Sequence, residues 1–276
     1  MQEPENQLRI DEFLRTVTRA ERSLLLLDYD GTLAPFREER DRAFPYPGMA
    51  RLLEQIVCCG HTRVVIISGR DITETVPLLG VTPTPEIWGL HGLQRRKPGE
   101  SIETVQIEER YLDALSDAGR WLRYQRLQQT AELKAGSIAV HWRGVSEWEA
   151  EEMRGRVLAG WKLIAEHSGL QLLEFDGGVE IRVPGVDKGD VVRFVLSEME
   201  PGTPVAYLGD DSTDERAFRV IRGRGLTVLV RPRWRQTAAQ FWLKPPEELV
   251  KFLKLWLQAV RERDALGGEA VAAVSR

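Results

Sequence analysis

The sequence predicts an α/β protein with a doubly wound core around a parallel sheet and a second, α+β unit inserted into it. Short apolar runs of strand length alternate with helical patterns near both ends of the chain, as in a parallel sheet covered by helices on both faces. Between them, residues 93–183 combine strands of partly alternating polarity with long amphipathic helices, which indicates a separate unit. We therefore expect a core formed by residues 1–92 and 186–276 and an insertion formed by residues 93–185.

The first predicted strand is the run of leucines over residues 24–27, which follows a short amphipathic helix over residues 8–20. It stops at two carboxylates, Asp28 and Asp30, and Thr32 then offers a hydroxyl and a backbone N–H. Ligands bind at the carboxyl ends of the strands of an open α/β sheet, so acids placed there are candidates for chemistry. The same residues are also ordinary turn chemistry, and by themselves they leave both interpretations open.

The remaining core elements follow in order. We predict helices over residues 49–57, 71–79, 188–199, 214–221 and 246–260, and strands over residues 63–67, 87–92, 205–208 and 227–230. The second strand ends at Ser68, and the strand over 205–208 leads into Asp210 and Asp211. Ser212 or Thr213 is the predicted cap of the helix that follows.

The insertion is predicted from a change of pattern. Strands are expected over residues 93–107, 137–142, 170–175 and 179–183, and helices over residues 108–131 and 147–167. Strands with one solvated face and helices grouped between them are typical of an α+β unit.

Charge and composition limit the classes of partner. The chain has 38 Lys and Arg against 42 Asp and Glu, with a net charge of -4, so no broad basic field would attract nucleic acid or an anionic membrane. The two cysteines, Cys58 and Cys59, are adjacent and poorly placed to form a disulfide framework. No signal peptide or membrane span is evident. We expect a cytoplasmic monomer that binds neither nucleic acid nor membranes.

The strand exits and one helix start carry a chemically coherent set. Parallel strands end at the same edge of a sheet, so these side chains are expected to meet. The set contains carboxylates for nucleophilic attack and proton transfer, groups that hold anionic oxygens, and acids suited to a hard divalent cation. Its members are Asp28, Asp30, Ser68, Lys188, Asp210 and Asp211.

In this order, the motifs D-x-D-G-T-L from Asp28, a strand-ending Ser68, Lys188 and G-D-D-x-x-D from Gly209 resemble the haloacid dehalogenase superfamily of phosphatases. The resemblance implies a Rossmann-like core with an inserted cap. It implies that Asp28 attacks phosphorus to give an aspartyl-phosphate, and that Asp30 protonates the leaving oxygen and later activates water. Ser68 and Lys188 would hold the phosphoryl group.

The same resemblance implies Mg²⁺ as the cofactor. Its ligands would be Asp28, the backbone carbonyl of Asp30, and Asp210. Asp211 or Asp214 would reach the ion through water or orient Lys188.

A closer resemblance, to trehalose-6-phosphate phosphatases, lies in five segments: residues 68–70, 89–92, 141–143, 180–189 and 209–215. It implies a small-molecule sugar phosphate, trehalose 6-phosphate, as the substrate. Glu180 would accept hydrogen bonds from glucose hydroxyls. The other substrate contacts that it implies are Thr32, Gly69, Arg70, His91, His141, Arg143, Arg182 and Asp214.

Three residues, Leu90, Trp142 and Val183, depart from the family's usual pattern and keep other substrates open. The alternatives are a phosphatase for sucrose-phosphate or for glucosyl- or mannosyl-phosphoglycerate, and a catalytically silent module that binds a sugar phosphate. For His91, a packed histidine that bonds to a backbone carbonyl is an equal alternative to a substrate contact. Arg143 has the alternative of a surface ion pair with a neighbouring glutamate.

Overall fold

The structure is a computed structural model, and it describes residues 3–37, 39–142, 144–175, 177–184 and 187–274. Its helices are α1 (Glu3–Arg19), α2 (Met49–Cys58), α3 (Ile72–Leu79), α4 (Glu109–Tyr124), α5 (Glu147–Ser168), α6 (Lys188–Ser197), α7 (Glu215–Ile221) and α8 (Glu247–Val274). Its strands are β1 (Ser23–Asp28), β2 (Thr62–Ile67), β3 (Glu86–Gly89), β4 (Gln94–Arg96), β5 (Glu103–Thr104), β6 (Ala131–Lys134), β7 (Ser137–His141), β8 (Gln171–Phe175), β9 (Gly178–Arg182), β10 (Val205–Gly209), β11 (Leu226–Val230) and β12 (Phe241–Leu243). Among these residues, no helix combines the length and apolar character needed to cross a bilayer.

The larger sheet forms the centre of the core. Within the described ranges its strands lie in the order β12-β11-β10-β1-β2-β3-β4-β5, and the pairings from β12 to β3 are parallel. The leucines of β1 are fully buried. Leu25 and Leu27 belong to an apolar cluster with α1, α2 and α8, whereas Leu24 and Leu26 belong to one with α6 and α7. Helices thus cover both faces of the sheet, and the predicted doubly wound core is confirmed.

Two strands expected in the insertion belong to this larger sheet instead. A 3₁₀ turn over Leu90–Gly92 reverses the chain directly after β3. β4 therefore pairs antiparallel with β3, and β5 pairs antiparallel with β4. The prediction that residues 93–107 form strands of the inserted unit is wrong for this reason, because a tight reversal favours pairing with the strand just completed. The other predicted boundaries between the core and the insertion remain predictions.

The inserted unit, called the cap below, is built on an antiparallel sheet in the order β6-β7-β9-β8. Helices α4 and α5 pack on it around the fully buried Trp161 and Val157. The helix predicted over 108–131 ends at Tyr124, and β6 was missed. Its four residues alternate in polarity, which places Glu132 and Lys134 on one face.

Candidate active site

Neighbouring strand ends and one helix start bring the predicted catalytic groups together. Asp28 is the last residue of β1, Asp210 follows the adjacent strand β10, and Lys188 is the first residue of α6. The Lys188 Nζ atom lies 2.6 Å from Asp28 Oδ1 and 2.7 Å from Asp214 Oδ1. All four side chains are buried. The structure therefore gathers at one sheet edge residues that lie far apart in the sequence.

The carboxylates of Asp28, Asp210 and Asp214 form a tight buried cluster. Each offers an oxygen within 4.8 Å of the others. Burial raises the pKa of Asp28 to about 7, with Lys188 opposing this rise and Asp214 adding to it. Burial also raises the pKa of Asp210 well above its ordinary range, and the charge of Asp28 adds to the effect. Three carboxylates around one ammonium are an excess of negative charge that a divalent cation would neutralise.

Asp210 presents an oxygen suited to such a cation. Its Oδ2 atom is buried, and no described residue forms a hydrogen bond with it. The backbone of Gly31 approaches this oxygen closely in a left-handed conformation with φ of 85°, and a Cβ there would lie 2.2 Å from Oδ2. Buried carboxylate oxygens normally have partners. The site thus fits a hard cation with oxygen ligands such as Mg²⁺. Asp211 lies outside the tight cluster, and its carboxylate accepts a hydrogen bond from the N–H of Ser212 at 2.6 Å.

Ser212 and Thr213 lie inside a 3₁₀ turn, Ser212–Asp214, which Asp211 caps. Helix α7 follows this turn, and its N-cap residue is Asp214, which makes no side-chain capping hydrogen bond. The predicted caps of this helix are therefore wrong, because the turn separates them from its first residue. The metal role predicted for Asp211 stays a prediction.

Asp214 is fully buried and engaged on both of its oxygens. Its Oδ1 accepts from Lys188 and, at 2.6 Å, from the Tyr207 hydroxyl. Its Oδ2 accepts from the N–H groups of Asp210 and Asp211, each at 3.0 Å. Burial opposes ionisation, but Lys188 and these donors hold the pKa of Asp214 below its ordinary value. This geometry orients Lys188, while the substrate contact predicted for Asp214 stays a prediction.

Arg70 holds the carboxylate of Asp30 in a forked ion pair. Its Nε and Nη2 atoms each lie 2.7 Å from an Asp30 oxygen, and Nη1 donates to the carbonyl of Arg40 at 2.8 Å. A planar fork fixes both carboxylate oxygens, so it orients Asp30 more tightly than a single contact would. Ser68 Oγ in turn accepts from the N–H of Arg70 at 3.1 Å. Sequence reasoning predicted Arg70 as a substrate contact and did not anticipate its partner Asp30.

A cavity of about 740 Å³ lies between this sheet edge and the cap. Ten of the predicted site residues line it: Asp28, Asp30, Gly69, Arg70, His91, His141, Glu180, Lys188, Asp210 and Asp211. Four others are buried outside the lining: Thr32, Ser68, Arg182 and Asp214. Thr32 donates to Asp28 Oδ2 at 3.0 Å. Arg143 lies outside the described residues.

Glu180 is the buried carboxylate of the cap wall. It accepts a hydrogen bond from Ser137 Oγ at 2.7 Å, and Lys134 Nζ lies 3.5 Å away. From the core, His91 Nε2 lies 3.4 Å from its Oε2. Burial opposes the charge, but His91 and Lys134 outweigh it and hold the pKa of Glu180 well below its ordinary value. The cap wall therefore presents a desolvated, charged acceptor to the cavity.

His91 is held in a strained backbone conformation against the Ser68 loop. Its φ of 58° is left-handed, and that of Leu90 is 49°. Its N–H donates to the carbonyl of Ser68 at 2.9 Å, and its ring packs so closely on Gly69 that a Cβ there would lie 2.6 Å from Cε1. Such strain persists where the surroundings over-determine it, often at functional sites. Its Nε2 atom faces Glu180, and its buried Nδ1 atom has no hydrogen-bond partner among the described residues, so the packed-histidine interpretation is not supported.

Sequence reasoning missed four charged residues of the cavity wall: Arg37, Arg40, Glu132 and Lys134. Glu132 accepts from His141 Nε2 at 3.0 Å and forms an ion pair with Arg40. Burial opposes ionisation of Glu132, but His141, Lys134 and Arg40 lower its pKa to about 2. The period-two pattern of β6, followed by Gly136 before the next apolar run, is the signal that could have found two of them.

Comparison with known proteins decides the family. Residues 26–244 match the family model described as trehalose-phosphatase. This chain belongs to the trehalose-phosphatase family. Within it, a probable trehalose-phosphate phosphatase H of Arabidopsis thaliana is 30% identical over 254 residues, covering 84% of this chain and 70% of the plant protein. A trehalose-phosphate phosphatase of Mycobacterium marinum is 30% identical over 247 residues, and the match spans 60% of its length.

Solved structures share the fold of this chain. The C-terminal domain of trehalose-6-phosphate phosphatase from Candida albicans superposes with a TM-score of 0.79 at 20% identity, covering 90% of this chain and 96% of that one. A haloacid dehalogenase-like hydrolase from Bacteroides thetaiotaomicron gives a TM-score of 0.62 at 15% identity, covering 84% and 98%. The predicted resemblance to the haloacid dehalogenase superfamily, with its core and cap, is confirmed at the level of the fold.

Proposed function

We propose that this chain hydrolyses trehalose 6-phosphate to trehalose and phosphate through an aspartyl-phosphate on Asp28. The observation that carries the proposal is the buried contact of Lys188 with Asp28 and Asp214, beside an Asp210 oxygen that no described residue contacts through a hydrogen bond. This arrangement supplies a nucleophile, an ammonium for anionic oxygens and acids for a cation, all on one wall of the cavity. The names of the relatives support the choice of substrate.

In the first step, an oxygen of Asp28 attacks phosphorus and the bond from phosphorus to the sugar oxygen breaks. Asp30 donates its proton to that oxygen, because a sugar alkoxide is a poor leaving group. In the second step, Asp30 takes a proton from water as the water oxygen attacks phosphorus, which releases Asp28 and inorganic phosphate. Lys188 and Ser68 hold the phosphoryl oxygens, and Arg70 keeps the Asp30 carboxylate oriented between the two steps.

Mg²⁺ is the proposed cofactor. Asp28, Asp210 and the backbone carbonyl of Asp30 would bind it directly, and Asp211 would reach it through water. When bound, the ion supplies positive charge that offsets the repulsion between a phosphate dianion and the attacking carboxylate. Asp214 holds Lys188 next to Asp28.

Recognition of the sugar falls to the charged wall of the cap. Glu180 and Glu132 are acceptors for sugar hydroxyls, and Lys134 and His141 are donors on the same wall. Glu180, Lys134 and Glu132 are largely buried, so a sugar that leaves one of them unpaired is strongly penalised. Arg182, whose buried Nε has no hydrogen-bond partner in the described part of the chain, stands behind this wall. The alternative sugar phosphates differ in the hydroxyls that they would present to this wall of the cap.

The test is phosphate release from a panel of esters, with Mg²⁺ and with chelator. The panel contains trehalose 6-phosphate, sucrose 6-phosphate, glucosyl-3-phosphoglycerate and mannosyl-3-phosphoglycerate. We expect the highest kcat/KM for trehalose 6-phosphate and loss of turnover with chelator. Equal or better turnover of another ester would refute the substrate, and binding without turnover would identify a silent binding module.

A further inference from the structure

Most basic side chains of the cavity lining are paired with carboxylates. Of the seven basic side chains that line the described part of the cavity, six lie within ion-pair distance of a carboxylate. A close pair of opposite charges has only a weak field several ångströms away, because the two charges largely cancel. The six paired side chains are Arg40, Arg70, His91, Lys134, His141 and Lys188.

Arg37 is the seventh of these side chains and has no such partner among the described residues. It is exposed where it lines the cavity, and it forms no hydrogen bond or ion pair with them. Burial raises the pKa of Tyr46, the charge of Asp210 adds to this rise, and the charge of Arg37 opposes it. Arg37 and Asp210 thus lie close enough to act on one side chain.

The neighbouring residue Phe36 places this segment beside the carboxylate cluster. Its ring lies against Gly31, where an added Cβ would lie 2.8 Å from Phe36 Cε2 and 2.2 Å from Asp210 Oδ2. Phe36 lines the cavity as well. Arg37, the next residue along the chain, therefore enters the cavity lining at the end that contains the proposed nucleophile and metal ligands.

The charge balance of the cavity gives an unpaired cation at this end a role. A phosphate monoester carries a charge of about −1.5 to −2 at pH 7. The described lining contains six carboxylates, and they already occupy the basic groups beside them. A cation without a carboxylate partner reduces the repulsion of an incoming anion and raises its local concentration. The six carboxylates are Asp28, Asp30, Glu132, Glu180, Asp210 and Asp211.

We propose that Arg37 is a specificity-determining residue that selects the anionic form of the substrate and draws its phosphate group into the cavity. It acts through its field, so it recognises the charge of the ester and not the sugar. It takes no part in breaking the bond to phosphorus, which falls to the buried cluster around Asp28. The inference rests on the proposed function in one respect, namely that the cavity takes a phosphate ester.

The test compares Arg37→Gln, Arg37→Glu and Arg37→Lys with the matched control Arg42→Gln. Arg42 lies a few residues along the chain, but its side chain is 70% exposed, pairs with Glu39 and does not line the cavity. The control changes the net charge of the protein by the same amount as Arg37→Gln. Thermal unfolding confirms that all four variants are folded.

For each variant, kcat and KM are measured on trehalose 6-phosphate and on 4-nitrophenyl phosphate at saturating Mg²⁺. Inorganic phosphate and neutral trehalose serve as competitive inhibitors, and their inhibition constants are determined in the same assay. The series is repeated from about 10 mM to about 1 M NaCl, over which the Debye length falls from about 30 Å to about 3 Å.

At low salt, we expect Arg37→Gln to raise KM about three- to tenfold on both esters with kcat unchanged, since one charge attracts a dianion only modestly across water. The inhibition constant of phosphate should rise by the same factor and that of trehalose should not change. Arg37→Glu changes the charge twice as much, so its factor should be about the square of that for Arg37→Gln. Arg37→Lys and Arg42→Gln should match the wild type, and at about 1 M NaCl all variants should converge on it.

Four results would each overturn the assignment. They are an unchanged KM in Arg37→Gln, an equal effect of Arg42→Gln, a loss that persists in full at high salt, and a loss confined to the sugar ester or shared by trehalose. Failure of the proposed function gives a different result. The wild-type protein would then release no phosphate from trehalose 6-phosphate, while the aryl ester and inorganic phosphate would still report on Arg37.

Discussion

Replacing Glu180 with glutamine is the sharpest test of the sugar site. Glu180 is 3% exposed, and Glu180→Gln keeps the size of the side chain and an acceptor for Ser137 while removing the charge. Hydrogen bonds to a charged group are worth about 1.5–3 kcal/mol, against about 0.5–1.5 for neutral pairs. With two sugar hydroxyls bound, the loss is about 2–3 kcal/mol, which is about a 30- to 160-fold fall in kcat/KM.

The assay measures kcat/KM for trehalose 6-phosphate and for 4-nitrophenyl phosphate in parallel. The aryl ester has no sugar hydroxyls, so we expect it to change little. Glu174→Gln is the matched control, since Glu174 lies in the same cap sheet but is half exposed and pairs with Arg154. Equal losses on both substrates would mean that Glu180 supports the cap and does not bind sugar, and the reasoning from its burial would be refuted.

Three further predictions concern the core. Asp28→Asn should abolish phosphate release from every ester without lowering the melting temperature, and undiminished turnover would exclude Asp28 as the nucleophile. Chelation should remove activity and added Mg²⁺ should restore it, whereas activity that resists chelator would contradict the metal assignment. Glu86→Gln should lower the free energy of unfolding by about 3 kcal/mol, because Arg63, Trp88 and Arg95 all donate to this buried carboxylate. Denaturant unfolding measures that loss, and an unchanged midpoint would show that the cluster contributes nothing.

The ends of the core strands could be predicted from the sequence because the pattern of a few neighbouring residues determines each of them. A run of leucines that ends at Asp28 encodes a buried strand and the position of its acid at once. The spacing of the later motifs fixes Ser68, Lys188 and Asp210 to strand ends or a helix start. The rules of parallel sheets then bring these positions to one edge. The position of these residues at one sheet edge could therefore be predicted without coordinates.

Local pattern was insufficient where a short segment could pair with either sheet. β4 has three residues and β6 has four, and such segments carry too little periodicity to show which sheet they join. The placement of β4 was decided by the reversal at Leu90–Gly92, and that of β6 by its pairing with β7. Missing β6 removed Glu132 and Lys134 from the predicted site.

The sequence by itself determined the fold class, the order of the core elements and the acids at the strand exits, because periodicity and turn chemistry act over a few residues. Only the tertiary structure decided which polar side chains pair: Arg70 with Asp30, Tyr207 with Asp214, and Arg40 with Glu132. Such pairs depend on how sheets, loops and cap pack across long separations. The residues next to a side chain in the sequence do not indicate which distant side chain it will contact.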